Sequence, residues 1–306
     1  MSNSARSPEP SAAEEQLVWT PRQLVSGLLL SAAVIVAGSF ASCSTAEKVP
    51  ATASAPAETT VAAGPTDPAG STDAAATLDH CARLLAAADE LYASTPAVEA
   101  VFHKRERLAG VLEEPNVIQL KVRRQPMAVY MRWDAPDQGR EAIWREDAGD
   151  GQIHVRPGGW KGRLIPVVKV DPLGARATAG SRRPINTTGP WHFTSRLVAL
   201  VQAERDANPG PRVTLDEVTL HGQPCRRFTL VHAVRQSGGA FQRAVLYFEL
   251  DRQLPIGFEL YAWPADAGSS EPQLEESYAF QNLELKPRLE DADFVTASKP
   301  RSRTVR

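Results

Sequence analysis

The chain has 306 residues, of which 34 are basic and 36 acidic, giving a net charge of −2 at pH 7, and 42% are hydrophobic. So even a balance excludes the basic stripe of a nucleic-acid binder and the acidic tail of a charge-driven partner. The length allows one or two domains, but only the stretch from residue 77 onward has the apolar content to build a core, so one domain is expected.

Residues 1–23 are polar. Leu24 to Phe40 is uncharged and mostly apolar, and it ends in Ala41, Ser42 and Cys43. An apolar run followed by small residues is a secretory leader, and one of this length can also stay in the bilayer as a single-span anchor. Phe40-Ala41-Ser42-Cys43 resembles the bacterial lipobox, which implies lipidation of Cys43, and Ser44 after it favours outer-membrane sorting. A lipoprotein, an uncleaved inner-membrane anchor and an ordinary cleaved signal all place the domain in the bacterial envelope, facing the periplasm. Residues 44–76 are rich in Ala, Thr, Pro, Ser and Gly and cannot bury enough surface to fold, which makes them a tether. As a flexible coil it would span roughly 30 Å.

Thr77 is placed to cap a helix over 78–92 whose stripe is Leu78, Cys81, Leu84, Leu85, Ala88, Leu91 and Tyr92, stopped by Pro96. Residues 98–108 read as a strand, apolar first and charged at Lys104 to Arg107. Three strands over 117–144 follow. Ile118, Leu120 and Val122 oppose Gln119, Lys121 and Arg123, and Met127, Val129, Met131 and Trp133 oppose Ala128, Tyr130 and Arg132. A period of two with one apolar face is an antiparallel meander covering a core on one side. Pro126 and the Asp134 to Gly139 stretch supply the turns.

Gln152 to Arg156 is a further strand. Between Arg163 and Asn208 the alternation lapses into an apolar patch at Leu164 to Val168, a Pro/Gly-rich loop, and a helix with Pro190 in its first turn and Phe193, Leu197, Leu200 and Val201 on one face. Strands resume at 212–220, 225–232, 242–250, 255–263 and 273–285. About ten strands and two to three helices make a mainly β (α+β) domain over 77–295, a single strongly curved antiparallel sheet whose concave apolar face the helices must cover. The tail 296–306 reads as a disordered, basic end.

The motifs KVRRQP, VYMRW, PDQGREAI and GGWKGRLIPVVKVDP resemble the periplasmic lipoprotein carrier LolA and its relatives. They are still more similar to a bacterial domain family of unknown function grouped with LolA-like folds. The resemblance implies an unclosed half-barrel and, for the segment 163–208, a lid. It also implies a basic residue ahead of the strand's proline that holds the lid; here Gln125 precedes Pro126, so Arg123 or Arg124 takes that place.

No nucleophile elbow, phosphate loop or dinucleotide fingerprint occurs, and no cofactor is expected. The histidines His80, His103, His154, His192, His221 and His232 have no ligand spacing, so no metal is expected. Glu113–Glu114, Asp147 with Asp150, and Glu275–Glu276 fall at turns or exposed strand positions, as a solvated face would. Trp133, Trp144, Trp160, Trp191 and Trp263, with Met127, Val129, Met131, Leu230 and Phe248, either line a ligand cavity or fill the core. Cys81 and Cys225 form a disulfide or stay as small buried thiols. The leading expectation is a non-enzymatic, membrane-tethered envelope lipoprotein that binds an acyl chain or lipoprotein; the alternative is an interaction or stress-sensing module that binds an envelope protein.

Overall fold

Hydrophobic alternation generates the sheet, and the computed structural model describes residues 74–235, 241–264 and 271–296 of the chain. The leader, Cys43, all but the last residues of the expected tether and the basic tail lie outside the described residues. Among the described residues, no helix is long and apolar enough to cross a membrane.

Helix α1 (Ala74–Ala93) starts three residues ahead of Thr77, which is buried inside it rather than capping it. It ends where Ser94 N–H and the Thr95 hydroxyl both turn back onto the Leu91 carbonyl. Strands β1 (Ala97–Leu108), β2 (Val111–Leu112), β3 (Asn116–Arg123), β4 (Ala128–Ala135), β5 (Glu141–Arg145) and β6 (Ile153–Arg156) follow. After a one-turn helix α2 (Lys161–Leu164) comes β7 (Val168–Val170), a short edge strand where the sequence suggested only an apolar patch. A second one-turn helix, α3 (Ala175–Thr178), precedes α4 (Pro190–Arg205). The last five strands are β8 (Arg212–Leu220), β9 (Gln223–Val231), β10 (Arg243–Glu249), β11 (Pro255–Ala262) and β12 (Gln273–Leu285).

All twelve join one antiparallel sheet in the order β7-β6-β5-β4-β3-β1-β12-β11-β10-β9-β8, with β2 attached to β1. The outer strands β7 and β8 do not meet, so the sheet is unclosed. Each half is a meander, and β1 with β12 forms the central pair that joins first strand to last.

Registers fix which side chains share the concave face. Phe102 lies opposite Ile118 and Phe280, Leu120 opposite Met131, and Leu246 opposite Phe228 and Phe258. Helices α1 and α4 pack antiparallel to each other over this face: His80 stands edge-on to Phe228, and Phe193 sits 4.9 Å from Phe258 and 5.2 Å from Phe280. Gly189, at φ 137°, leads into α4, and a Cβ there would lie 3.1 Å from the Trp191 ring, so the entry to the helix requires glycine.

The outer face is not uniformly wet. Ala128 and Ile143 form a second small core with Phe294, delivered by the 3-10 turn Asp291–Phe294. Lys121 and Arg123 hold that turn through Asp293 and Asp291 at 2.7 and 2.6 Å.

Candidate functional site

The six residues expected to line a cavity do share the concave side, and they are packed. Val129 and Leu230 are fully buried, Phe248 is 1% exposed, Trp133 7% and Met131 9%, all in one core with α1 and α4, and Met127 packs against it. A surface depression of 580 Å³ lies where α1 begins and α4 ends, lined by Leu78, Asp79, Glu204 and Pro211 among others, and touches none of the six. The concavity is occupied by the protein's own side chains.

What distinguishes the face is how its cover is fastened. Three sets of polar contacts join α4 and the segment before it to the sheet and to α1. At the start of α4, Arg124 donates from Nη2 to the Tyr92 carbonyl at 2.8 Å and lays its guanidinium 4.5 Å from the centre of the Trp191 ring, bridging both helices. Of the two arginines expected near the cover, this is the one that reaches it. Arg123, one residue earlier on an alternating strand, points to the outer face and pairs with Asp291.

Near the middle of α4, two glutamates project inward from the central pair of strands. Glu276 is 3% exposed and Glu106 2%. The expectation of a solvated Glu275–Glu276 pair is therefore wrong for Glu276. Its alternation with Tyr278 and Phe280 puts it on the concave face; Glu275 alone stays at the surface, pairing with Arg182 at 2.8 Å. Glu276 receives Arg196 of α4 at 2.9 Å and Arg183 at 3.1 Å. Glu106 accepts the Tyr278 hydroxyl, the Arg182 backbone N–H at 3.1 Å and Lys104 at 3.0 Å, and Lys104 also donates to Ser181 at 2.7 Å. Residues 181–183 are thus strapped across the sheet. Burial alone would push the Glu276 carboxyl up, but Arg196 and Arg183 outweigh it and hold it below the usual glutamate range. Burial raises Tyr278 well above its usual value, and the carboxylates of Glu276 and Glu106 raise it further, so it stays a neutral donor.

At the end of α4, Glu204 meets His232 at 2.7 Å, and Arg205 meets Asp79 of α1 at 2.8 Å. The Glu204 carboxyl is raised by burial against the opposing pull of His232.

Cys81 and Cys225 are both buried and both free thiols, so the bridge between them is not formed. Cys81 faces the core from α1, with its thiol pushed up to about 12 by burial. Cys225 donates to the Gln223 carbonyl at 3.2 Å. Among the described residues no three metal-binding side chains converge.

A model of the family described as "Protein of unknown function (DUF1571)" matches residues 95–301. The chain belongs to this family. No curated protein matches. Among solved structures, the DUF1571 chain is similar to the lipoprotein LppX of Mycobacterium tuberculosis, at 11% identity and TM-score 0.39 over 69% of this chain and 98% of that one. It is also similar to LprF of Mycobacterium bovis, at 12% identity and TM-score 0.40 over 69% and 95%. A LolA superfamily protein, NE2245 of Nitrosomonas europaea, matches at 12% identity and TM-score 0.29 over 70% and 96%. What the described residues themselves show is an open antiparallel sheet with helices packed on one face.

Proposed function

We propose that this DUF1571 protein is a non-enzymatic receptor or acceptor of the bacterial envelope, held at a membrane through Cys43 or an uncleaved leader. Its concave face takes up an acyl chain or the lipid of a lipoprotein when α4 and the strap before it lift. One observation carries the reading: the cover meets the sheet through inward-facing charged residues, Glu106 and Glu276. In a core that never opens, buried ion pairs are commonly no more stabilising than apolar residues of the same volume. In an interface that parts, they regain water on both sides, so opening costs less than separating two oily surfaces of equal area.

An acyl chain of about sixteen carbons buried against the exposed face would contribute on the order of 10 kcal/mol before association costs, at about 0.8 kcal/mol per methylene. A tethered protein with such a face suits receipt or sensing of lipid better than free shuttling. The packed interior supports a second reading, an interaction module that binds an envelope protein and no lipid.

Equilibrium binding of a fluorescent long-chain fatty acid to the purified protein separates the two. The receptor reading expects saturable binding of about one probe per chain, competed by unlabelled lipid. A folded protein that binds none, even under mild destabilisation of the cover, leaves the interaction module. Radiolabelled palmitate is expected to mark the wild type and not Cys43→Ala; equal labelling of both would remove the lipoprotein assignment.

A further inference from the structure

The segment 157–173, anchored to the core through Val170 of β7 and taking no part in fastening the cover, carries the largest group of exposed apolar side chains in the described residues. Trp160 is 69% exposed, Leu164 73% and Leu173 71%, with Ile165 and Val167 also at the surface. Scattered single apolar residues are ordinary on a protein surface, but five within fourteen positions of one segment are a concentration that calls for an explanation. The same stretch from Trp160 to Arg176 contains Lys161, Arg163, Lys169 and Arg176 against the single acid Asp171, and of these Lys169 is already paired with Asp150 at 2.8 Å. Trp160 is presented by a turn with Gly159 at φ 57°, tied back to the β4–β5 turn by the Gly159 N–H to the Gln138 carbonyl at 2.9 Å. The turn is thereby fixed, and the tryptophan projects from it.

Position on the sheet adds an independent argument. Following the strand registers, Arg156, Glu141, Ala135, Asn116, Glu106, Glu276, Ala262, Arg243, Val231 and Arg212 all lie toward one rim. The 157–167 connection leaves from that rim. So does the start of α1, since Asp79 pairs with Arg205 just before β8 begins. The described chain therefore begins, at Ala74, on the rim that carries the exposed tryptophan.

We propose that 157–173 is a lip that docks on an anionic lipid bilayer. Tryptophan and leucine seat at the headgroup–acyl boundary and the basic residues meet lipid phosphates, the composition that interfacial segments require. The tether and the lip then make two contacts with one membrane and turn the rim that bears the strap toward the lipid. This inference does not depend on whether the concave face binds an acyl chain.

The test uses the full chain in vesicles of phosphatidylcholine with or without phosphatidylglycerol, the acyl chains carrying bromine as a short-range quencher. The emission of Trp160 is read as the difference between the wild type and Trp160→Phe, a substitution at an exposed position that leaves the circular dichroism spectrum unchanged. Trp160 is expected to be quenched and blue-shifted in anionic vesicles and much less so in neutral ones. The variant Lys161→Gln/Arg163→Gln should lower the ratio of docked to undocked lip by about thirtyfold, at about 1 kcal/mol per basic residue near an anionic surface. Unquenched Trp160 in both vesicle types overturns the proposal. So does a blue shift that appears without vesicles and grows with protein concentration, which assigns the lip to a second copy of the chain. Shielding that appears only when an envelope protein is added, with no quenching by lipid, assigns it to a protein partner and equally overturns the proposal.

Discussion

Replacing Glu276 by glutamine tests the fastening of the cover at its most buried point. The substitution keeps the shape and removes the charge that Arg196 and Arg183 share at 2.9 and 3.1 Å. Removing one partner of a fully buried ion pair costs about 3 to 5 kcal/mol. Here the carboxylate side chain is 4% exposed but the arginines are 32% and 33% exposed, so water recovers part of the loss. About 2 to 3 kcal/mol remains on that discount. At about 2 to 4 °C per kcal/mol for a domain of this size, Tm should fall by about 4 to 12 °C. The effect has a pH signature. The folded carboxyl is held below its usual 4.5, so the unfolded chain takes up its proton first as pH falls. The contribution is therefore whole above that value and is lost as pH drops through the folded pKa, and Glu276→Gln should lack this component. Thermal unfolding followed by circular dichroism at neutral and acid pH reads both. A Tm within about 1 °C of wild type, with the same acid dependence, would refute the assignment of Glu276 as the anchor of the strap.

Arg124→Leu removes a hydrogen bond and a cation–π contact worth together about 1.4 kcal/mol, so stopped-flow uptake of a fatty-acid probe should quicken about tenfold with little change in fold. In alkylation followed by mass spectrometry without reductant, Cys81 and Cys225 should react only after denaturation and then both should react; failure to react in denaturant until reductant is added would restore the bridge. Phe294→Ala should destabilise by about 3 kcal/mol in chemical denaturation, since it empties the small outer core under Ala128 and Ile143. Stability should fall as pH drops below the usual histidine value because His221, stacked 3.6 Å from His103, is lowered to about 4 by burial and by that neighbour, so the unfolded chain protonates first. His221→Gln should flatten that slope, and only modestly, because the burial of His221 is partial and solvent reaches the residue.

Period-two alternation made the meander legible: the concave set Ile118, Leu120, Val122, Val129, Met131 and Trp133 follows directly from parity, and all six are buried. The site is less legible because two adjacent acids look alike in sequence while strand parity sends them to opposite faces. Glu276 sits beside Glu275 in sequence, yet its parity with Tyr278 and Phe280 places it inside, a signal present in the same strand. Glu106 gave the weaker cue of an acid on the inward side of a strand that begins Val98, Ala100, Phe102. Nothing local marks Ser181 to Arg183 as their partners, because the contacts span 76 to 93 positions of chain. Strand β7 was hidden because three residues are too few to display a period, and its pairing with β6 is what makes it a strand. Whether apolar residues on the concave face enclose space or fill it depends on the seating of α1 and α4, which alternation does not encode.

The most direct test of the central claim is photocrosslinking with a diazirine-bearing fatty acid, the adducts located by peptide mass spectrometry. The account predicts adducts on the concave side of the sheet and on the underside of α4, at residues such as Met131, Phe193, Phe258 and Phe280. Adducts confined to the outer surface and to 157–173, or none on a folded protein, would contradict it.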